Sequence, residues 1–351
     1  MKKIFIEDGL TLYNKTGIGQ YTVNLAQMFE ELGYEVVMPR KCFLEKIKNA
    51  SIKRVLYVLW LNLVFPLLLL FSGCEKVIFS NFLTPLYKIP AKKYYPVIHD
   101  LWAVKFPETM SKTKRDYQTW ILKVIKNNYY KIITVSNTVK QEIIDYFGCN
   151  PDDINVIYNY FSFGEKPKIN LSEEEQQNIL FKYNLQQKGY ILSVGSLNKR
   201  KNIQMLIDAY NSIDSDKKLV IVGKNENADL VKENKNIIFT GYIDDEELKV
   251  LYKNAILFVF PSIYEGFGIP LIDAQAFGIP VLCSDIPVFR EIGANSVYLF
   301  RLNEKELTEC LHDILNKNEL NSLFIENAGK NLQRFAYSNL QKYVAKGFEI
   351  C

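Results

Sequence analysis

The sequence predicts an α/β protein built from two doubly wound halves, each a parallel sheet with helices on both faces. Three observations predict it. Apolar β-type runs alternate with helix-period segments along nearly the whole chain, a rhythm that builds parallel sheets. At 351 residues the chain is too long for one ordinary core and suits two domains. Its 48% hydrophobic and 23% charged residues mark a globular chain rather than a disordered one.

In the first half, strands are expected at Ile4-Phe5-Ile6, Val36-Val37-Met38, Val77-Ile78-Phe79, Tyr95 to Ile98, Ile132 to Val135 and Val156-Ile157-Tyr158. Gly19 to Leu32 carries apolar residues at helical spacing, and Ser136-Asn137-Thr138 offers N-cap residues to a helix over Val139 to Phe147. Phe161 to Glu175, with Gly164, Pro167 and a charge cluster, reads as a linker. The second half repeats the rhythm at Tyr190 to Val194, Leu219 to Val222, Ile237 to Thr240, Ile256 to Phe260 and Val281-Leu282-Cys283. The expected division is an N-terminal domain over 1–164, a second domain over 165–334 and a final helical segment over 335–351. Doubly wound sheets place a ligand at the carboxyl ends of their strands.

The net charge of +4 does not imply nucleic acid as a partner. The charge is uneven: residues 1–165 hold 21 Lys/Arg against 15 Asp/Glu, and the rest 22 against 24. A basic first half suits an anionic acceptor or membrane surface; solvated lysines explain it as well. The six cysteines are scattered without a C-x-x-C pair, which points to a reducing, cytoplasmic compartment. The start reads as a strand and not as a signal peptide. From Val55 to Cys74 there are 20 residues without a charge, enough for a membrane span. Pro66, Asn62 and strand candidates on both sides favour a buried or partly buried helix, with a helix at the membrane interface and a true span as the alternatives.

The run Pro261-Ser262-Ile263-Tyr264-Glu265-Gly266-Phe267-Gly268-Ile269-Pro270-Leu271-Ile272-Asp273 follows a strand and opens a helix. Gly266 and Gly268 let backbone N–H groups approach a ligand closely, and a helix start favours an anion. Glu265 and Asp273 stand two helical turns apart, about 12 Å. They could hold the two ends of one elongated molecule with an anionic middle, and a sugar nucleotide has that shape. The plain alternative is a capped amphipathic helix. Gly195-Ser196-Leu197-Asn198-Lys199-Arg200-Lys201-Asn202 also joins a strand to a helix and would bring Arg200 and Lys201 beside the crevice, where a departing diphosphate needs cations. Lys15-Thr16-Gly17-Ile18-Gly19 lacks the third glycine of a dinucleotide fingerprint. His99-Asp100 ends a strand; a neutral imidazole there can bond a sugar hydroxyl. His312 sits in an amphipathic helix pattern and reads as a surface or packing residue. Asp244 fits a helix N-cap with Glu247 three residues on, and no D-x-D ends a strand, so no essential metal is expected.

The Glu265–Asp273 run resembles the E-x7-E motif of retaining GT-B glycosyltransferases of family 4, with Asp for the second Glu. That resemblance implies a GT-B fold, two Rossmann-like doubly wound domains facing a central cleft, with the last helix, Tyr337 to Phe348, crossing back to the N-terminal domain. It implies a hexosyltransferase that takes a hexose or deoxyhexose from a nucleoside diphosphate sugar with retention, without metal or other cofactor. Glu265, Gly266, Phe267 and Gly268 would touch the donor sugar, Asp273 the ribose, and Arg200 and Lys201 the diphosphate. Gly19 would close over the donor, His99 would lie by its sugar, and Gly241 and Tyr242 would lie against the base. A growing polysaccharide or lipid-linked oligosaccharide is the implied acceptor, with the enzyme cytoplasmic or peripheral on the inner face of the membrane. A GT-B epimerase or hydrolase and an inert sugar-nucleotide-binding subunit remain alternatives. Glu265→Gln is expected to lower turnover with little change in melting temperature.

Overall fold

The computed structural model describes residues 2–9, 17–39, 41, 44, 46–81, 83–109, 112–224, 234–316 and 319–350. The chain forms two units, Met1–Asn159 with Leu340–Cys351, and Tyr160–Asn339. The expected breaks stood at 164 and 334.

Unit 1 contains β1 (Lys2–Glu7), α1 (Gly17–Glu31), β2 (Tyr34–Val37), α2 (Ala50–Leu63), α3 (Phe65–Phe71), β3 (Lys76–Phe79) and β4 (Lys93–Ile98). It continues through α4 (Trp102–Lys105), α5 (Lys112–Asn128), β5 (Ile132–Thr134), α6 (Asn137–Phe147) and β6 (Ile154–Val156). All strands are parallel, in the order β2-β1-β3-β4-β5-β6. The strands read as nearly unbroken apolar runs because both faces are covered. Ser136 caps α6 by accepting the Val139 N–H, and Gly148, at φ 63°, ends it in a left-handed turn. The closing residues of the chain belong to this unit. Phe348 packs its ring 5.0 Å from Phe29 and 4.9 Å from Tyr95, and Asn155 donates to the Gly347 carbonyl at 2.9 Å.

The 20-residue apolar stretch does not span a membrane. It folds as α2 and α3 between strands that share one sheet, so the chain cannot leave the unit and return across a bilayer. Pro66 sits in the first turn of α3, where its missing N–H costs nothing. Tyr57, Trp60, Leu61, Phe65 and Leu69 recur at helical spacing and bury against Phe5, Val77 and Phe79. Tyr57 also donates its hydroxyl to Glu7 at 2.7 Å. The same Glu7 takes the buried Lys41 cation at 2.7 Å, which ties α2 to the end of β1.

Unit 2 contains α7 (Glu173–Lys182), β7 (Tyr190–Val194), α8 (Ile203–Asn211), β8 (Lys218–Val222), β9 (Ile237–Gly241), α9 (Asp245–Asn254) and β10 (Leu257–Phe260). Then follow α10 (Ile269–Ala276), β11 (Val281–Ser284), α11 (Pro287–Gly293), β12 (Tyr298–Phe300), α12 (Glu304–Asn316) and α13 (Glu319–Leu332); α14 (Tyr337–Gly347) starts at the end of this unit and from Leu340 on belongs to unit 1. Again every strand is parallel, in the order β12-β11-β10-β7-β8-β9. Ser172 and Glu175 form a reciprocal capping box for α7, so the segment read as linker already starts this helix. Asp244 caps α9, accepting the Glu247 N–H at 2.9 Å. Strand β12 was not among the expected strands.

Candidate functional site

The order of the second sheet reverses between β7 and β10, and a ligand crevice lies outside the carboxyl ends of strands at such a point. The chain leaving β7 enters Gly195–Lys201, and the chain leaving β10 enters Pro261–Gly268. The Ile263 N–H donates to the Arg200 carbonyl at 2.9 Å, so the two loops are stitched together by backbone.

Glu265 joins them by side chain. It is buried, 7% exposed. Its Oε2 lies 3.0 Å from Arg200 Nη1, and its Oε1 accepts from Lys201 Nζ at 2.6 Å and from Ser262 Oγ at 2.8 Å. Burial alone would raise the carboxyl pKa. The Lys201 and Arg200 charges, with the Lys201 and Ser262 hydrogen bonds, outweigh it and hold the group below the ordinary carboxylate range. Lys201 is itself buried, with its ammonium 4.6 Å from the Phe260 ring centre. The site therefore holds two cations and one carboxylate in contact.

Glycines make the approach possible. Gly195 takes φ +149° with the Lys201 stem against it. Gly223, after β8, takes φ +146°, and a Cβ there would stand 2.0 Å from the Gly195 carbonyl oxygen. Gly241 ends β9 at φ +72°, accepts the Gly223 N–H at 3.0 Å, and has open space where a Cβ would go. Two substitutions should separate these causes. Gly223→Ala meets backbone and should cost about 3 kcal/mol or more, whereas Gly241→Ala meets only its left-handed backbone, about 1–2 kcal/mol. Urea unfolding of both variants checks the order; equal losses would refute the steric account.

Gly268 caps α10 at φ +104°, and a Cβ on it would touch the Phe289 ring at 2.9 Å. Phe267 is 3% exposed and edge-on to Phe335 at 5.5 Å, so its side chain belongs to the core. Gly266 is buried beside Glu265. Tyr242 stands exposed beyond β9. Asp273, on α10, is buried, and its Oδ1 accepts the Ser162 N–H at 2.9 Å. Burial pushes its carboxyl up to about 7, with the Ser162 hydrogen bond opposing.

In unit 1 the strand order reverses between β1 and β3. Ser80 follows β3 and His99 follows β4. His99 Nε2 lies 2.8 Å from the Ser80 carbonyl. A carbonyl can only accept, so Nε2 carries the hydrogen and Nδ1 is the acceptor. Burial lowers the imidazole pKa against the opposing pull of Ser80 and Asp100, so the ring is neutral at pH 7. Tyr21 packs edge-on to it at 5.2 Å. Gly19 is buried in the first turn of α1; Lys15 and Thr16 of its motif lie outside the described residues. His312 is exposed on α12.

Of the residues singled out from sequence, the structure brings together Arg200, Lys201, Glu265, Gly266, Phe267 and Gly268. Gly19 and His99 belong to unit 1. The sequence reading missed Ser262, Gly223 and Ser162. Gly223 follows a strand, as Gly195 does, and Gly241 ends one. Ser162 carried none, because its role is a backbone N–H.

Two Rossmann-like units of this kind are the architecture of the GT-B class of glycosyltransferase. Residues 175–331 match the model of glycosyl transferases group 1, and residues 77–161 that of glycosyltransferase family 4. The chain thus carries a glycosyl transferases group 1 region in its second half and a glycosyltransferase family 4 region in its first. It is 28% identical over 338 residues to the O-antigen chain mannosyltransferase RfbU of Salmonella typhimurium, covering 91% of this chain and 86% of that protein. It is 32% identical over 206 residues to O-antigen chain mannosyltransferase B of Escherichia coli, covering 55% and 53%. In fold it is similar to Anabaena HepE, solved with UDP and glucose (TM-score 0.75, 16% identity, 100% of both chains). It is likewise similar to WaaG, a glycosyltransferase involved in lipopolysaccharide biosynthesis (TM-score 0.71, 16% identity, 98% and 99% covered).

Proposed function

We propose that this glycosyltransferase transfers a hexose or deoxyhexose, with mannose the first to test, from a nucleoside diphosphate sugar, retaining the anomeric configuration. The acceptor is a growing surface polysaccharide or a lipid-linked oligosaccharide on the cytoplasmic side. The observation that carries this reading is the contact of Arg200 and Lys201 with Glu265 at the switch point of unit 2. Cleaving a glycosyl–phosphate bond leaves negative charge on the departing oxygen, and fixed cations, one buried and one partly buried, stabilise it without reorganisation. With the diphosphate on Arg200 and Lys201, Glu265 is released to the sugar hydroxyls and supports the cationic sugar. A phosphate oxygen takes the acceptor's proton as the new bond forms on the face the diphosphate leaves. The backbone of Gly266, Phe267 and Gly268 meets the sugar. Gly241 and Tyr242 lie against the base, and Asp273, oriented by the Ser162 N–H, meets the ribose. Gly19 contributes backbone to the donor, and neutral His99 accepts a sugar hydroxyl at Nδ1.

The mannosyltransferase names of the relatives support the sugar and the polysaccharide acceptor. Two cations at the diphosphate do the work a divalent metal does in other sites, so activity should survive EDTA. The test is Lys201→Ala, which should weaken binding of the free nucleoside diphosphate by about tenfold or more, in the range of a lost charged hydrogen bond. Calorimetry with a panel of nucleotides reads it. Unchanged affinity, or wild-type activity that vanishes in EDTA and returns with Mg²⁺, would overturn the assignment.

A further inference from the structure

Among the described residues, three side chains meet the Glu265 carboxylate, and they differ in kind. Arg200 and Lys201 are cations. Both bind phosphate more strongly than a neutral donor does, so each exchanges the carboxylate for a phosphate oxygen when a diphosphate arrives. Ser262 is neutral. Its hydroxyl has a single hydrogen, which goes to Glu265 Oε1 at 2.8 Å. A phosphate does little to draw it away, and the residue is fully buried, so bulk water does not compete for it.

Ser262 is also fixed from two sides. Its carbonyl accepts from Ser284 Oγ. Ser284 is equally buried and ends β11, where Cys283 is in register with Phe260 of β10. On the other side, the N–H of the next residue, Ile263, donates to the Arg200 carbonyl in the loop after β7. The two neighbours of β10 thus hold the main chain that carries the hydroxyl, and a side chain on a rigid support keeps its aim. We propose that Ser262 is a positioning residue for Glu265: its hydroxyl keeps the carboxylate ionised and turned to the donor sugar after the diphosphate has taken Arg200 and Lys201. This role rests on the donor-site reading above and divides the labour of that site. The two cations set affinity for the nucleoside diphosphate, and Ser262 sets how well the sugar is held. The charged groups facing Glu265 are those two cations, both from the loop after β7. With phosphates on them, the carboxylate depends on the hydroxyl, and losing a hydrogen bond to the charged form raises a carboxyl pKa.

The test is calorimetry of the full chain with GDP, GDP-mannose, UDP and UDP-glucose as probes. Ser262→Ala deletes one oxygen and leaves Glu265 paired with both cations, so it should fold. The hydroxyl bonds the carboxylate with or without phosphate, so affinity for the free nucleoside diphosphate should stay within about threefold of wild type. The sugar ester should bind about tenfold or more weakly, the range of one lost hydrogen bond to a charged group. The sugar-specific loss should be larger at pH 5 than at pH 8, because a carboxyl with a raised pKa takes up its proton sooner as pH falls. Ser262→Thr keeps the hydroxyl and should restore the wild-type ratio of the two affinities. Where its melting temperature shows that the added methyl does not fit, the pH comparison on Ser262→Ala decides. A Ser262→Ala chain that binds the sugar ester like wild type would overturn the proposal and leave the donor-site reading standing. So would one that loses free nucleoside diphosphate and sugar ester equally at both pH values. A wild type that binds none of the four probes, or Lys201→Ala with unchanged nucleotide affinity, would sink that reading and this role together.

Discussion

Glu265→Gln should lower kcat by about 100-fold or more, the range for one preorganised electrostatic contact, and should also lower the melting temperature. The second effect departs from the sequence expectation of an unchanged melting temperature. Glu265 is the counter-charge of the buried Lys201 and of the partly buried Arg200. A neutral amide keeps the volume and leaves the ammonium uncompensated, which costs about 3–5 kcal/mol when one partner of a buried pair is lost. An added nucleoside diphosphate should therefore raise the melting temperature of the variant more than that of the wild type, because its phosphates supply the missing charge. In the wild type the same phosphates must compete with the carboxylate. The destabilisation should have a definite pH dependence. The Glu265 pKa lies below 4.5 in the folded chain, so its contribution to stability is present above the unfolded value and lost as pH falls through the folded one. Wild type and variant should converge in strong acid. Near-normal turnover would remove Glu265 from the mechanism; an unchanged melting temperature at pH 7 would refute its role as counter-charge.

Asp273→Asn should stabilise the protein, and by more at pH 8 than at pH 5. Burial pushes the Asp273 carboxyl from 3.8 up to about 7. Between those values the folded chain holds a proton that the unfolded chain has released. Stability from this group therefore falls as pH rises from about 4 to about 7, and the full penalty applies above that. At one pKa unit per 1.36 kcal/mol, the penalty is at most about 4 kcal/mol. Asparagine carries no charge and keeps an oxygen for the Ser162 N–H. Thermal unfolding at the two pH values reads the difference. A gain that is equal at both, or larger at pH 5, would contradict the raised pKa. The same variant probes the ribose: a donor lacking both ribose hydroxyls should bind the wild type more weakly than the complete donor, and Asp273→Asn should narrow that gap.

The sequence by itself determined the alternation of strand and helix, the two sheets and the loops that carry Arg200, Lys201 and Glu265. These follow from local causes: apolar runs of strand length, glycines at strand ends and capping residues such as Ser136 and Asp244. The tertiary structure decided what those side chains do before a ligand arrives. Arg200 and Glu265 are 65 residues apart and meet only because β7 and β10 are neighbours in one sheet. Asp273 reads in sequence as a ligand-holding carboxylate two turns from Glu265, but its environment is set by the Ser162 backbone 111 residues earlier. The apolar stretch after Arg54 has the length and composition of a membrane span, and neither property distinguishes a span from a core helix. Strand pairing on both sides of it rules out crossing, and burial of one helical face leaves the other exposed. Periodicity is written within a few turns of chain, whereas burial and charge pairing depend on which strands are neighbours, and that is fixed only when the sheet forms.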